Sequence, residues 1–531
     1  MAEMMKRLIQ RAIVALLLSL MPAIGLSSET QFSMSTTSSS INPSPHPHIV
    51  RICCYAGWAG MEPSRGSYQF TSKVHPWKTQ AQSLGADFLM TFLEVPTWAN
   101  GTGSGGNTYT PPVDLTTVAT CQNVLAGVHT TNCQWKEMVT AYFQDDCGVT
   151  SQPLTPLTGG ACKTKYVEAW NEINVCRYAC NFTPGQLAIL ANDMTKIARL
   201  YSGDVQIGVG SVSAGGDGSN NVGMSPVYYT AELQFLQAWG AIPGFSKPDF
   251  STIHIYCCRT NVSPLPFPET IVSTSSLCSS GTPNSSCRIA VIDEVDYFRI
   301  HVLQDPSISS WAASLRVACT ECGWGEIKSI CDGASSASTC NITDPTHGAN
   351  VTLLRRAYTA RLLEAAWSQR TMFFLQYEYG GDACWMPMVG PGDTSGCPYN
   401  SPVGSNLSNP PLPSGNLPWL QAYTQMVSWL DSATYVAPES GTAACSGKIW
   451  TMPVKISGVS AMLAFYDGHL GSCSYSTTFT SAQKLDGTTI SVSSTATLTN
   501  EPMFLTTPST PPLPPPPPSP PGLLLGVAGG R

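Results

Sequence analysis

Apolar runs and polar, helix-spaced stretches alternate along most of this chain. Short runs rich in branched and aromatic residues recur: Gln31 to Thr36, His48 to Cys54, Ala86 to Pro96, Lys165 to Asn174, Val205 to Val212, Phe250 to Cys258, Leu315 to Gly323 and Thr371 to Gly381. Each predicts a strand, and their nearly unbroken apolar character predicts strands buried on both faces. Between them lie stretches with helical spacing: 74–85, parts of 114–143, 182–203, 228–240, 290–304 and 353–369, with another at 417–430. Pro184 in a first turn and Gly85 and Gly203 as stops mark helix ends.

Eight strands alternating with helices predict an α/β fold, a (β/α)8 TIM barrel. A doubly wound open sheet is the competing architecture. The count of strands disfavours it, as does the lack of a nucleotide-binding glycine loop: Gly208 to Ser213 begins like one but lacks the third glycine. From about Asp431 the pattern changes to short alternating strands with D-G turns, which predicts a small all-β domain. The expected organisation is therefore a leader over 1–27, a barrel over 28–430, a small β-sandwich-like domain over 431–507 and a Pro-rich disordered tail over 508–531.

The leader reading rests on Lys6, Arg7 and Arg11, followed by an apolar run from Ala12 to Leu26 and small residues at Gly25 to Ser28. This is the pattern of a secretory signal peptide, and the run is shorter than the ~20 residues of a membrane span. The expectation is a secreted, periplasmic or cell-surface protein with no stable span once the leader is removed. N-x-S/T sequons such as Asn181 and Asn261 have meaning only in a host that glycosylates exported proteins.

Twenty cysteines in an exported chain suggest disulfides. Cys121 with Cys133, Cys147 with Cys162, Cys278 with Cys287, Cys331 with Cys340, Cys384 with Cys397 and Cys445 with Cys473 are close enough in sequence to act as local staples; Cys176 and Cys180 form a further candidate pair. Cys53, Cys54, Cys257, Cys258, Cys319 and Cys322 lie in or beside strands and read as buried thiols. Paired C-x-x-C motifs are absent, so no metal and no cofactor is expected. Charged residues make up only 11% of the chain and the net charge is −7, which argues against nucleic acid as a partner.

Active sites of such barrels lie at the C-terminal ends of the strands. The polar residues there are Arg51 in strand two, Asn171 and Glu172 at the tip of strand four, His254 and Tyr256 in strand six, Glu321 in strand seven, and Trp385 beyond strand eight. Two carboxyl groups facing one another across a barrel mouth suit glycoside hydrolysis: one protonates the leaving oxygen, the other attacks the anomeric carbon. Glu94, Glu378 and Asp382 also lie at strand ends and are subsite candidates; Glu168, deeper in strand four, reads as an interior partner of Arg51. Glu62 and Trp58 read as structural, and Glu294 and Asp296 as solvated helix positions.

On these residues the chain resembles the clan A glycoside hydrolases, retaining barrels with catalytic Glu on strands four and seven. The matching segments are Trp58 to Phe70 ("WAGMEPSRGSYQF"), Phe92 to Ala99 ("FLEVPTWA"), "WNEIN" at Trp170 to Asn174 and "TECGWG" at Thr320 to Gly325. Within the clan it is most similar to family 39-like glycosidases. The resemblance implies Glu172 as acid/base, Glu321 as nucleophile and Asn171 on the sugar 2-hydroxyl. It further implies that Arg51 orients Glu321, Tyr256 lies near the nucleophile, His254 supports the acid/base side and Trp385 floors the sugar subsite. Ile173 departs from the pattern, where proline is usual, and the cysteine-rich insertions have no counterpart in it. The expected activity is retaining hydrolysis of an oligosaccharide or polysaccharide. The alternatives are a non-catalytic carbohydrate-binding barrel and a glycosidase-like transglycosylase.

Overall fold

The computed structural model describes residues 30–35, 47–52, 56–104, 106–115, 133–213, 228–256, 291–323, 347–377, 389–391, 398–400, 406–408, 414–467 and 471–507. The leader, the Pro-rich tail, Trp385, Glu378 and Asp382 lie outside these residues, as does at least one cysteine of every expected staple except Cys147–Cys162, Cys176–Cys180 and Cys445–Cys473.

Eight parallel strands close into a barrel: β1 (Gln31–Ser35), β2 (Ile49–Ile52), β3 (Asp87–Phe92), β4 (Thr164–Ala169), β5 (Gln206–Ser213), β6 (Phe250–Tyr256), β7 (Arg316–Gly323) and β8 (Phe373–Tyr377). They pair in sequence order, and β8 closes on β1. Helices α1 (His75–Leu84), α2 (Gln134–Cys147), α3 (Pro184–Tyr201), α4 (Tyr228–Gly240), α5 (Val291–Phe298) and α6 (His347–Ser368) fill the connections, and α7 (Pro418–Asp431) follows β8. Thr183 caps α3 in a reciprocal box with Gln186, and Gly85 ends α1 in the left-handed region. The helix expected over 290–304 is α-helical only to Phe298; Arg299–Leu303 is a π turn.

Inside the barrel, side chains change character in steps of two residues, the period of a strand. One layer is apolar: Ile49, Leu89, Tyr166, Phe250, Ala318 and Phe373 pack together, with Tyr166 meeting Phe373 at 5.3 Å. Gly208 makes room for this plug, since a Cβ there would lie 2.3 Å from the Phe250 ring. Two residues further along, the same inward positions are Arg51, Thr91, Glu168, Thr252 and Thr320, all buried, with Leu375 on β8 the apolar exception. The barrel therefore has an apolar floor and a hydrogen-bonded polar layer directly above it.

An antiparallel unit follows from Ala433 to Thr506. Its central hairpin joins Gly447–Ile456 to Val459–Tyr466 through Ser457 and Gly458, both at positive φ as the twist of a two-residue hairpin demands. Asp486 and Gly487 make one of the expected D-G turns. The sheet packs on α6 and α7: Trp429 stacks on Phe504 at 5.5 Å, and the Arg361 guanidinium lies 4.7 Å over Phe465. Among the described residues no helix is long and apolar enough to cross a membrane.

Cys147–Cys162 and Cys445–Cys473 form disulfides, as the spacing suggested. Cys319 and Cys322 are both buried, and an irregularity in β7 brings their Cα atoms to 6.0 Å.

Candidate active site

The expected fourth strand runs to Asn174, but β4 ends at Ala169. Its last ladder bond is Trp170 N–H to Phe92 O at 2.7 Å, after which Trp170 (φ 77°) and Glu172 (φ 45°) both take left-handed conformations. Such angles are costly for non-glycine residues and persist only where surrounding contacts over-determine them. Those contacts are present. The Trp170 indole packs on Phe182 at 4.7 Å and donates to Tyr178 O. Asn174 bridges to Ser213 at the end of β5 through two 2.8 Å bonds, and Ile173, in place of the usual proline, is fully buried in the main core. Asn171 and Glu172 are thus fixed in a tight turn on the barrel mouth.

Glu321 reaches the same place by a different device. Thr320 faces the barrel interior, donating to Glu168 Oε1 at 2.7 Å, so strict alternation would point Glu321 outward. It does not, because Thr320 is an inserted residue: Ile253 pairs with Cys319 and His254 pairs with Glu321, leaving Thr320 without a partner on β6. The bulge turns both side chains inward. A second bulge lies on the other side of β6, where Gly210 pairs with Thr252 and Val212 with Ile253, leaving Ser211 as the insertion. Ser211 is left-handed at φ 52°, and Gly210 before it, at φ 99°, has no room for a Cβ against the Glu232 carboxylate.

Five ionisable groups converge. Arg51 donates from Nη1 to Glu321 Oε1 at 2.5 Å, from Nη2 to Glu168 Oε2 at 2.7 Å and to Asn171 Oδ1 at 3.0 Å, and from Nε to Thr91 Oγ1 at 3.0 Å. Burial opposes charge on Arg51, but Glu168 and Glu321 more than offset it and hold the guanidinium above its ordinary range. Burial likewise pushes the Glu168 carboxyl up, but Arg51, His254 and the Thr320 hydroxyl outweigh it and hold the group below its ordinary value. His254, fully buried, places Nδ1 3.1 Å from Glu172 Oε1 and 3.6 Å from Glu321 Oε2. Its Nε2 lies 2.8 Å from Ser211 Oγ and 3.1 Å from Thr320 Oγ1. One oxygen of each glutamate and one nitrogen of His254 all lie within 4.8 Å of one another. Three donors so close could also chelate a cation, so the donor set alone does not separate a metal site from an acid–nucleophile pair.

Arg51, Asn171, Glu172, His254 and Glu321 are therefore brought together. Tyr256 ends β6 opposite Gly323. Glu168 is the interior partner of Arg51 that the sequence suggested. Glu62 accepts from the Trp58 indole at 2.6 Å and from Gly66 N–H at 2.7 Å, a structural role, and Asp296 is exposed and paired with Arg299. Glu94 sits at the end of β3 with φ 62°, its carboxyl against Gly57 and raised by burial. Sequence reading missed Thr91, Ser211 and Thr320; polar pairs inside apolar runs, Gly210–Ser211 and Thr320–Glu321, were the available signal of bulges.

No family model matches the chain, and no curated protein sequence matches it. Solved structures do. A family 39 glycoside hydrolase from the gut symbiont Bacteroides cellulosilyticus is 14% identical, with a TM-score of 0.53 over 90% of this chain and 80% of that one. A bifunctional glucanase-xylanase from a metagenome library is 10% identical, with a TM-score of 0.49 over 89% and 95%. A family 39 β-xylosidase from Caulobacter crescentus is 11% identical, with a TM-score of 0.48 over 91% and 97%. At such identities the first of these establishes a shared barrel fold.

Proposed function

We propose that this chain is an exported retaining O-glycoside hydrolase of the clan A type, acting on an oligosaccharide or polysaccharide by double displacement. The observation that carries the reading is the pair Glu172 and Glu321, on the turn after β4 and on β7, with carboxylate oxygens within 4.8 Å. Retaining enzymes hold their two carboxyl groups about 5–5.5 Å apart, whereas inverting enzymes leave room for a water at about 6.5–9.5 Å. The fold shared with a family 39 glycoside hydrolase supports the same reading. The disulfides support export.

Glu321 is the nucleophile. Arg51 holds its Oε1, so the carboxylate is aimed, and Oε2 lies 3.6 Å from His254 Nδ1. Glu172 is the acid/base: it protonates the leaving oxygen as Glu321 attacks the anomeric carbon, then takes a proton from the water that releases the glycosyl-enzyme. Asn171, whose Oδ1 is engaged by Arg51, presents its amide to the 2-hydroxyl. Arg51 and His254 are buried and act through the two glutamates.

The test is Glu321→Ala together with Glu172→Ala, assayed across xylo-, gluco-, manno- and uronic-acid-containing substrates with the product anomer followed by NMR. Glu321→Ala is expected to abolish turnover and Glu172→Ala to form a β- or α-glycosyl azide of retained configuration when azide is added. Inverted product from the wild-type enzyme, or an unimpaired Glu321→Ala variant, overturns the assignment.

A further inference from the structure

The two bulges insert one hydroxyl residue each, on either side of β6, and both hydroxyls meet the same atom, His254 Nε2. Ser211 holds a left-handed backbone to do so, an angle that glycine would adopt without cost. Both hydroxyls are fully buried. Ser211, His254 and Glu172 are connected like a nucleophile–base–acid triad, but a serine enclosed on all sides cannot attack a substrate. Its hydroxyl has another use.

The two hydroxyls are not equivalent. A carboxylate only accepts hydrogen bonds, so the short contact of Thr320 Oγ1 with Glu168 Oε1 consumes the threonine proton. Thr320 can then only accept from Nε2. Among the described residues Ser211 Oγ has no acidic partner, and it can either accept from a protonated Nε2 or donate to a bare one. Of the two hydroxyls, it is the one that tolerates a neutral imidazole with its proton on Nδ1. On the opposite edge of the ring, Nδ1 faces Glu172 and Glu321: a proton on Nδ1 serves the nucleophile carboxylate, and Glu172 Oε1 accepts from it when the acid proton sits on Oε2.

We propose that Ser211 is a positioning residue that sets the tautomer of His254, keeping a proton on Nδ1 and thereby aiming the acidic proton of Glu172 at the leaving group. The proposal rests on the reading of Glu172 as acid/base. With Nδ1–H donating to Glu172 Oε1, the transferable proton of the acid must sit on Oε2. Proton transfer to the glycosidic oxygen leaves a carboxylate that Nδ1–H still satisfies, and the second step returns the proton from water to Oε2. Without Ser211, Thr320 draws the neutral-ring proton to Nε2, and the bare Nδ1 then accepts the Glu172 proton that the leaving group needs.

The experiment is Ser211→Gly, which removes the hydroxyl while relieving the backbone, with Thr320→Val as the contrasting variant. With 15N-labelled histidine, the wild-type His254 resonances, assigned with a His254→Gln variant, are expected to report the Nδ1–H tautomer at a pH where the ring is neutral. Ser211→Gly is expected to convert it to Nε2–H, and Thr320→Val to leave it as Nδ1–H. In kinetics, Ser211→Gly is expected to lower kcat/KM for alkyl glycosides at least ~10-fold more than for dinitrophenyl glycosides, whose leaving group needs no acid. An unchanged tautomer in Ser211→Gly, or equal losses on both leaving groups, overturns the proposal. If the wild-type protein hydrolyses no glycoside, the double-displacement reading fails, while the nitrogen spectra still decide whether Ser211 sets the ring.

Discussion

Arg51 grips Glu168 with two bonds, Nη2 at 2.7 Å and Nε at 3.1 Å, and neither side chain has any exposed surface. The same guanidinium holds Glu321. A buried pair of this kind is weak evidence for net stability, but removal of one partner strands a charge in the interior. Glu168→Ala is therefore expected to destabilise the protein by about 3–5 kcal/mol. Glu168→Gln, which keeps the shape and one acceptor, is expected to cost less. Denaturant unfolding of both variants checks the order; equal stability of Glu168→Ala and wild type contradicts it.

Glu232 supplies a pH prediction. Burial pushes its carboxyl up to about 8, only partly offset by a bond from Ser251. The unfolded chain loses this proton near the ordinary value of 4.5 while the folded chain keeps it. Between these two pH values the native state binds more protons, so stability falls as pH rises. Glu232→Gln is expected to remove a loss on the order of a few kcal/mol between pH 5 and pH 8. Asp193, raised to about 7 chiefly by burial, adds a slope of the same sign that ends about one pH unit lower. Thermal midpoints across this range read both effects, and identical slopes for variant and wild type would refute the assignment.

Glu94 couples strain to the mouth of the barrel. Its left-handed backbone is pinned on both sides, by Trp58 N–H to Leu93 O and by Val95 N–H to Thr108 O. Asparagine tolerates this conformation better than glutamate. Glu94→Asn is expected to raise stability by about 1 kcal/mol through relief of strain and of carboxyl burial. If Glu94 lines a sugar subsite, the substitution is also expected to raise KM more than it lowers kcat. A variant with unchanged KM removes Glu94 from the subsite.

The donor set of Glu172, His254 and Glu321 makes chelation an informative control. Double displacement uses both carboxylates directly, so exhaustive treatment with EDTA is expected to leave kcat/KM unchanged. Added zinc is expected to inhibit by occupying the same oxygens. Loss of activity on chelation, restored by one specific cation, would replace the acid–nucleophile reading with a metal-assisted one.

The barrel was legible because parallel strands buried on both faces leave long apolar runs that charged surfaces cannot imitate. Glu172 and Glu321 stood out for the complementary reason, carboxylates at the ends of otherwise apolar runs. The means of presenting them was hidden. Alternation says that Thr320 and Glu321 point to opposite sides, and only the unpaired position of Thr320 against β6 shows that both turn inward. Local propensity gives no warning of left-handed angles at Trp170, Glu172 or Ser211, because packing from Phe182 and hydrogen bonds from neighbouring strands impose them. The close approach of Cys319 to Cys322 depends on the same irregularity.

The inserted Thr320 divides β7 into two phases. Before it, inward positions serve the hydrophobic floor; after it, they serve the mouth, displaced by one residue. A single deletion of Thr320 would leave the floor intact and Glu321 facing inward opposite His254, but would remove the hydroxyl that links Glu168 to His254, giving a folded barrel with an altered centre. Mutational tolerance should therefore break sharply at one residue along this strand, with foldability governing one side and reactivity the other.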